Sequence, residues 1–171
     1  MAITVQPTPP QRVLWGTATH PLGELVVGIT EDGFLCRTSF LHNLKPADVV
    51  HQWQYQWPAT TFRAHKIPKT YAKLPILLVG TELQGQICEE IMRVPAGEIA
   101  TYGQIADQID LPGRARAVGR ACRECNLAPI IPCHRIIAAG GIGGYGAEGL
   151  TFKQQLLKAE GTHVSLGKRR G

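Results

Sequence analysis

The sequence predicts an α+β protein, with a small antiparallel sheet and one helix in its first half and a mainly helical second half. Two observations carry that reading. Val13 to Phe40 is rich in β-branched residues and is broken by a Glu31-Asp32-Gly33 turn signal, the pattern of paired strands. Beyond Thr81, Leu83, Ile87 and Ile91 recur at spacings that put them on one face of a helix. Size and composition agree. The 171 residues have room for one large domain or two small ones, 44% of them are hydrophobic, and a charged fraction of 18% is too low for a disordered chain.

In order along the chain, Leu25 to Thr30 is a strand and Phe34 to Phe40 the next. Pro46 opens a helix over 47–57, where proline is tolerated in the first turn. From Ala59 to Lys73 the pattern weakens into a cluster of lysines and prolines, and a boundary is expected near residues 66 to 78, giving domains 1–77 and 78–171. Thr81 is placed to cap a helix running to about Arg93, which Pro95-Ala96-Gly97 ends. Tyr102 to Ile109 is a short helix, Leu111-Pro112-Gly113 a turn, and Arg114 to Cys125 a helix rich in alanine and arginine. Two short helices joined by a tight turn have the form of a helix-turn-helix, a form shared with ordinary helical hairpins. Arg116, Arg120 and Arg123, spaced four and three apart, share a face, and Ala117 and Ala121 one position on would leave it in low relief. Such a face suits close approach to a phosphate backbone. It equally suits plain solvation, with Asp110 and Glu124 in partial compensation.

Several classes are set aside. No apolar run is long enough to cross a membrane. Met1 to Pro10 lacks the basic region and apolar core of a signal peptide, so a soluble, intracellular protein is expected. A net charge of +5 and a pI near 9.1 permit a polyanionic partner without requiring one. The five cysteines, Cys36, Cys88, Cys122, Cys125 and Cys133, are odd in number and are expected reduced. Each is then buried filler, a metal ligand or a nucleophile.

The sharpest segment is Pro129-Ile-Ile-Pro-Cys133-His134-Arg135-Ile-Ile137. A thiol in a dry setting next to a histidine is the minimum kit for an activated sulfur nucleophile. Neighbouring side chains in an extended strand point to opposite sides, so His134 reaches Cys133 only through a bend or an intervening water. Zinc is an alternative, because Cys122, Cys125, Cys133 and His134 are four possible ligands. A helical Cys-x-x-Cys and an adjacent Cys-His pair strain tetrahedral closure, however. A cysteine hydrolase would use the same pair but would need turnover.

Pro132-Cys133-His134-Arg135 resembles the signature of the O6-alkylguanine-DNA alkyltransferases, the methylated-DNA–protein-cysteine methyltransferases. Further segments are similar. Thr101-Tyr102-Gly103-Gln104-Ile105-Ala106 resembles the first helix of that family's helix-turn-helix, and Arg116-Ala117-Val118-Gly119 the start of its recognition helix. Gly144-Tyr145-Gly146 resembles the substrate loop, and Lys153 with Leu156 to Gly161 the final helix. The resemblance covers residues 78 to 161 and, more weakly, 13 to 40 through Pro21-Leu22-Gly23.

It implies a ribonuclease-H-like first domain and a winged-helix-like second one. It implies a monomer, cytoplasmic or, in a eukaryote, nuclear, that takes an alkyl group from O6-alkylguanine, and from O4-alkylthymine, in double-stranded DNA onto Cys133 in a single, irreversible turnover. His134 would act as base through a water, Glu160 would orient it, and Tyr102 would donate a proton to the departing guanine. Arg116 would fill the gap left by the flipped nucleotide, with Ala117, Ala121, Arg120 and Arg123 along the DNA. Tyr145, Asn126, Pro132 and Arg135 would form the substrate pocket. No cofactor and no metal are implied. Damage-binding relatives without catalysis lack the reactive cysteine, which is present here as Cys133. The chain also departs from the family. Cys125 stands eight residues before Cys133, where an asparagine is usual, and Asn126 comes one place later. The stretch from Cys133 to Tyr145 is one residue short, and Cys88 replaces a common tryptophan.

Overall fold

Strand-forming runs occupy more of the first half than the turn signals suggest. The computed structural model describes residues 3–145 and 149–165. The chain divides into two compact units, up to Gly85 and from Gln86 onward.

In the first unit, β1 (Ile3–Gln6), β2 (Arg12–His20), β3 (Gly23–Thr30) and β4 (Leu35–Phe40) lead to α1 (Pro46–Gln56). Next come β5 (Thr61–Ala64), a 3-10 turn at Tyr71–Lys73 and β6 (Ile76–Val79). These strands form one six-stranded sheet in the order β1-β6-β4-β3-β2-β5. The hairpins β2-β3 and β3-β4 are antiparallel, as expected. The β1-β6, β2-β5 and β4-β6 pairs are parallel, so the sheet is mixed rather than antiparallel.

β6 pairs with β1 and β4, which puts residues 76–79 inside the sheet rather than in a linker. The division between units falls later than expected, within α2 (Glu82–Met92). Helix α1 buries Val49 and Trp53 against Val26 and Leu41, while Trp57 packs on Val13, Cys36 and Leu77. Removing a tryptophan or valine of this kind from water contributes about 1.5–3 kcal/mol each before entropy is counted.

Helix α2 is capped as its sequence predicts. Thr81 Oγ1 accepts from Gln84 N at 3.2 Å, and Gln84 Oε1 accepts from Thr81 N at 2.8 Å. Thr101 and Gln104 repeat the arrangement at the start of α3 (Tyr102–Gln108). Asp110, with φ of 58°, closes α3 by turning the chain so that Leu111 N reaches Ala106 O at 2.9 Å. Helix α4 (Ala115–Glu124) follows, then a 3-10 turn at Cys133–Arg135 and α5 (Leu150–Ala159). Two short strands, β7 (Ala100–Thr101) and β8 (Ile136–Ile137), pair in parallel. That ladder carries much of the site's geometry. β7 runs directly into Tyr102 and β8 leaves directly from Arg135, so pairing Thr101 with Ile137 brings the start of α3 beside the Cys133 turn.

Candidate active site

Cys133, His134 and Arg135 form one turn of 3-10 helix behind Pro132, not an extended strand. Arg135 N donates to Pro132 O at 3.0 Å. This is the bend that the Cys-His pair requires. Cys133 and His134 are each 1% exposed.

Glu160 comes to the turn from α5, whose C-terminus fixes it. Gly161 (φ 84°) lets Thr162 N reach Leu157 O at 2.9 Å and Gly161 N reach Lys158 O at 3.0 Å, with Glu160 as the cap residue. Glu160 Oε1 accepts from His134 Nε2 at 2.8 Å. Burial pushes its carboxyl up, but hydrogen bonds from Arg135 and His134 outweigh that and bring it down to about 2. The carboxylate is therefore ionised and can only accept, so the proton of a neutral imidazole sits on Nε2 and Nδ1 is the basic nitrogen. His134 Nδ1 is buried and has no hydrogen-bond partner among the described residues. Burial also lowers the His134 pKa, which keeps the ring neutral and able to take a proton.

Arg135 does not line a substrate pocket. Its Nε and Nη2 donate to Glu160 Oε2 and Oε1 at 2.9 and 2.8 Å, and Nη1 donates to Val94 O at 2.7 Å. The fork geometry of the guanidinium makes it the clamp on Glu160. Pro132 is likewise buried as the cap of the Cys133 turn. Asn126 is half-buried in the turn after α4 and is not among the residues lining the neighbouring cavity.

That cavity, of about 440 Å³, is lined by Tyr102, Arg116, Gly119, Arg120, Arg123, Gly144 and Tyr145, together with Ala115. The three arginines thus share a face, as their spacing predicts. Arg120 is paired with Glu124 at 2.9 Å. Ala121 does not share that face. It is 4% exposed and turned inward with Val118 and Cys122, because it falls on the helix's apolar stripe, while Ala117 is half-buried at the edge. Tyr102 Oη makes a long contact of 3.4 Å to Gly144 O, and burial raises its pKa, so the phenol holds its proton. Gly146, the last residue of the expected substrate loop, lies outside the described residues.

Lys153 is the site residue whose role sequence reasoning missed. It is 0% exposed, and its Nζ donates to Ile136 O (2.6 Å), Ile142 O (2.7 Å) and Gly144 O (3.0 Å). The ammonium also lies 5.9 Å and 6.0 Å from the ring centroids of Tyr102 and Tyr145. Burial lowers its pKa to about 8. The signal was there: Lys153 sits between Phe152 and the Leu156-Leu157 pair on the buried stripe of α5, where an unpaired lysine is rare.

The thiol of Cys133 hydrogen-bonds with the thiols of Cys122 and Cys125, and these contacts together with burial hold its pKa well above the usual cysteine value. Among the described residues no group of three or more His, Cys, Asp or Glu side chains is arranged to hold a metal ion.

The fold and site define a class: a two-unit protein with a dry cysteine next to a histidine–carboxylate–arginine network and a basic helix. Residues 82–162 match the family described as 6-O-methylguanine DNA methyltransferase, DNA binding domain. A methylated-DNA–protein-cysteine methyltransferase of Methanosarcina acetivorans is 33% identical over 149 residues, covering 83% of this chain and 94% of that protein. The protein of that name from Mycobacterium tuberculosis is 46% identical over 84 residues, covering 48% of this chain. In that match the chain spans 50% of the mycobacterial relative's length. A crystal structure of the M. tuberculosis O6-methylguanine methyltransferase superposes with a TM-score of 0.66 at 29% identity, covering 86% of this chain and 92% of that one. A crystal structure of M. tuberculosis OGT in complex with DNA superposes with a TM-score of 0.62 at 31% identity, over 87% and 93% of the two chains. The chain belongs to the methylated-DNA–protein-cysteine methyltransferase family.

Proposed function

We propose that this chain repairs DNA by moving an alkyl group from O6 of guanine, and from O4 of thymine, onto Cys133, once per molecule. The observation that carries the reading is the hydrogen-bonded line from Arg135 through Glu160 to His134, which leaves Nδ1 basic next to the buried thiol. The thiol proton passes through a water to Nδ1 as the Cys133 sulfur attacks the alkyl carbon. The carbon–oxygen bond breaks, the sulfur–carbon bond forms, and guanine leaves as a neutral base on taking a proton from Tyr102. A resting thiol with a raised pKa suits this order, because deprotonation is drawn out by reaction rather than standing in advance.

DNA binding is assigned to α3 and α4 as a helix-turn-helix, with Arg116, Arg120 and Arg123 on phosphates and Arg116 filling the stack when the damaged nucleotide is rotated out. A cavity of about 440 Å³ between those arginines and Tyr145 is of a size for a single base. The protein acts as a monomer in this reading. The test counts methyl groups. With excess O6-methylguanine oligonucleotide, each molecule should gain the mass of one CH2 on Cys133 and no more, and Cys133→Ser should gain nothing while still binding DNA. Repeated turnover would overturn the proposal.

A further inference from the structure

Cys133 has sulfur neighbours that the proposed transfer does not use. Cys122 is on the inward face of α4, Cys125 is that helix's cap residue, and Cys133 opens the 3-10 turn eight residues later. All three are free thiols. Cys133 is hydrogen-bonded to both of the others through sulfur, so the three are in contact. Their exposures differ. Cys133 is 1% and Cys122 9% exposed, whereas Cys125 is only half-buried and is the sulfur of the three that a solute meets. Their tethering differs too. Cys122 is fixed within a helical turn, while Cys125 and Cys133 bound a segment, 126–132, without regular structure, which can adjust to a disulfide's geometry.

We propose that Cys125 is an oxidative modification site that captures Cys133 as a reversible disulfide when a hydroperoxide is present. In the first step the Cys125 thiolate attacks the peroxide. A sulfur–oxygen bond forms, the oxygen–oxygen bond breaks, the sulfur is oxidised to sulfenic acid, and the peroxide is reduced to water or an alcohol. In the second step Cys133 attacks the Cys125 sulfur. The sulfur–sulfur bond forms, the sulfur–oxygen bond breaks, and the departing hydroxide leaves as water with the Cys133 proton. Two thiols and one hydroperoxide thus become one disulfide and two molecules of water, or water and an alcohol. Chemistry at the first step is favoured at Cys125, whose pKa is lowered by the hydrogen bond from Cys133, despite burial, and by the backbone of Leu127.

The consequence is protective. A one-use acceptor oxidised to sulfinic acid is lost before use, whereas a disulfide is restored by any thiol reductant. The disulfide does not depend on the alkyl-transfer reading; only its effect on repair does.

The test uses the full chain treated with hydrogen peroxide, quenched with an alkylating reagent, and read by intact mass and peptide mapping. The expected result is a loss of about 2 Da, mapped to a Cys125–Cys133 link. Alkyl acceptance should be lost with it, and dithiothreitol should restore both. Cys125→Ser should accept alkyl groups normally before treatment, but after it should gain oxygen at Cys133 and fail to recover. Oxygen gain without the link in the natural chain, a link joining Cys122 to Cys125 instead, no mass change at all, or full recovery of Cys125→Ser would each overturn the proposal. The mass readout stands even if transfer itself is disproved.

Discussion

Each unit buries a cation, and the two are held differently. Arg37, from β4, lies under α1 with its guanidinium carbon 5.3 Å from the Trp53 ring centroid and 4.6 Å from that of Trp57. Its Nη2 donates to Gln56 Oε1, while Nε and Nη1 have no hydrogen-bond partner among the described residues, and burial lowers its pKa to about 10. Lys153 donates to three carbonyls at 2.6 to 3.0 Å. An aromatic face accepts a cation over a range of positions, so Arg37 holds packing without fixing a backbone atom. Three carbonyls accept an ammonium in one arrangement, so Lys153 fixes β8, which follows the Cys133 turn, and residues 142 and 144 of the pocket loop. A buried charge that specifies backbone positions belongs to a site; one that rests on rings belongs to a core.

That contrast is broken most sharply at Lys153. Lys153→Met should slow single-turnover alkyl transfer by roughly 100-fold, the scale expected when reacting groups shift by about an ångström. Lys153→Arg should not rescue it, since a planar fork cannot replace a compact ammonium among three carbonyls. An effect confined to thermal stability would place Lys153 with Arg37 as a packing residue. Next in size is Glu160→Gln, which keeps a hydrogen bond to His134 but loses the charge. Transfer near neutral pH should fall by roughly tenfold.

The same carboxylate sets acid sensitivity. Its pKa is about 2 in the folded chain against 4.5 for the free group, so its stabilisation is complete above about 4.5 and is lost as pH falls towards 2. Chemical denaturation across that window should show a steeper loss in the natural chain than in Glu160→Gln.

Arg116→Ala should slow repair in duplex DNA severalfold more than attack on a free alkylated base, because only the duplex requires a nucleotide to be rotated out. Equal slowing would remove Arg116 from that role. The smallest effect is expected at Arg37→Met. It should change stability by no more than about 2 kcal/mol, with the lost ring contacts offset by relief of unpartnered N–H groups, and should leave the transfer rate of folded molecules unchanged.

The parts legible in the sequence were those set by local chemistry. The β-branched run from Leu25, the Glu31-Asp32-Gly33 turn, the Thr81 and Thr101 caps and the arginine spacing on α4 all depend on neighbours within a few residues. β1, β5 and β6 were not legible. They are four residues long and are defined by parallel partners far along the chain, such as Ile3 with Ile76 and Arg12 with Thr61. The site divides the same way. The Cys-His dipeptide was visible, but the 3-10 turn that bends it, the clamp of Arg135 on Glu160 and the thiol contacts of Cys133 arise only when segments up to 41 residues apart meet. Ala121 was misplaced for a related reason. Its spacing suits either edge of the arginine face, and the packing of α4 turned it inward.

The most direct measurement is the single-turnover transfer rate against pH for the natural chain and for His134→Ala, with folding checked separately. The account predicts that His134→Ala is slow near neutral pH and regains rate as pH rises to and beyond about 8.5, the unperturbed cysteine value, because hydroxide then does what Nδ1 no longer can. Recovery should begin late, since Cys133 starts from a raised pKa. A His134→Ala variant that matches the natural chain at neutral pH would contradict the account and show that Cys133 is activated by another group.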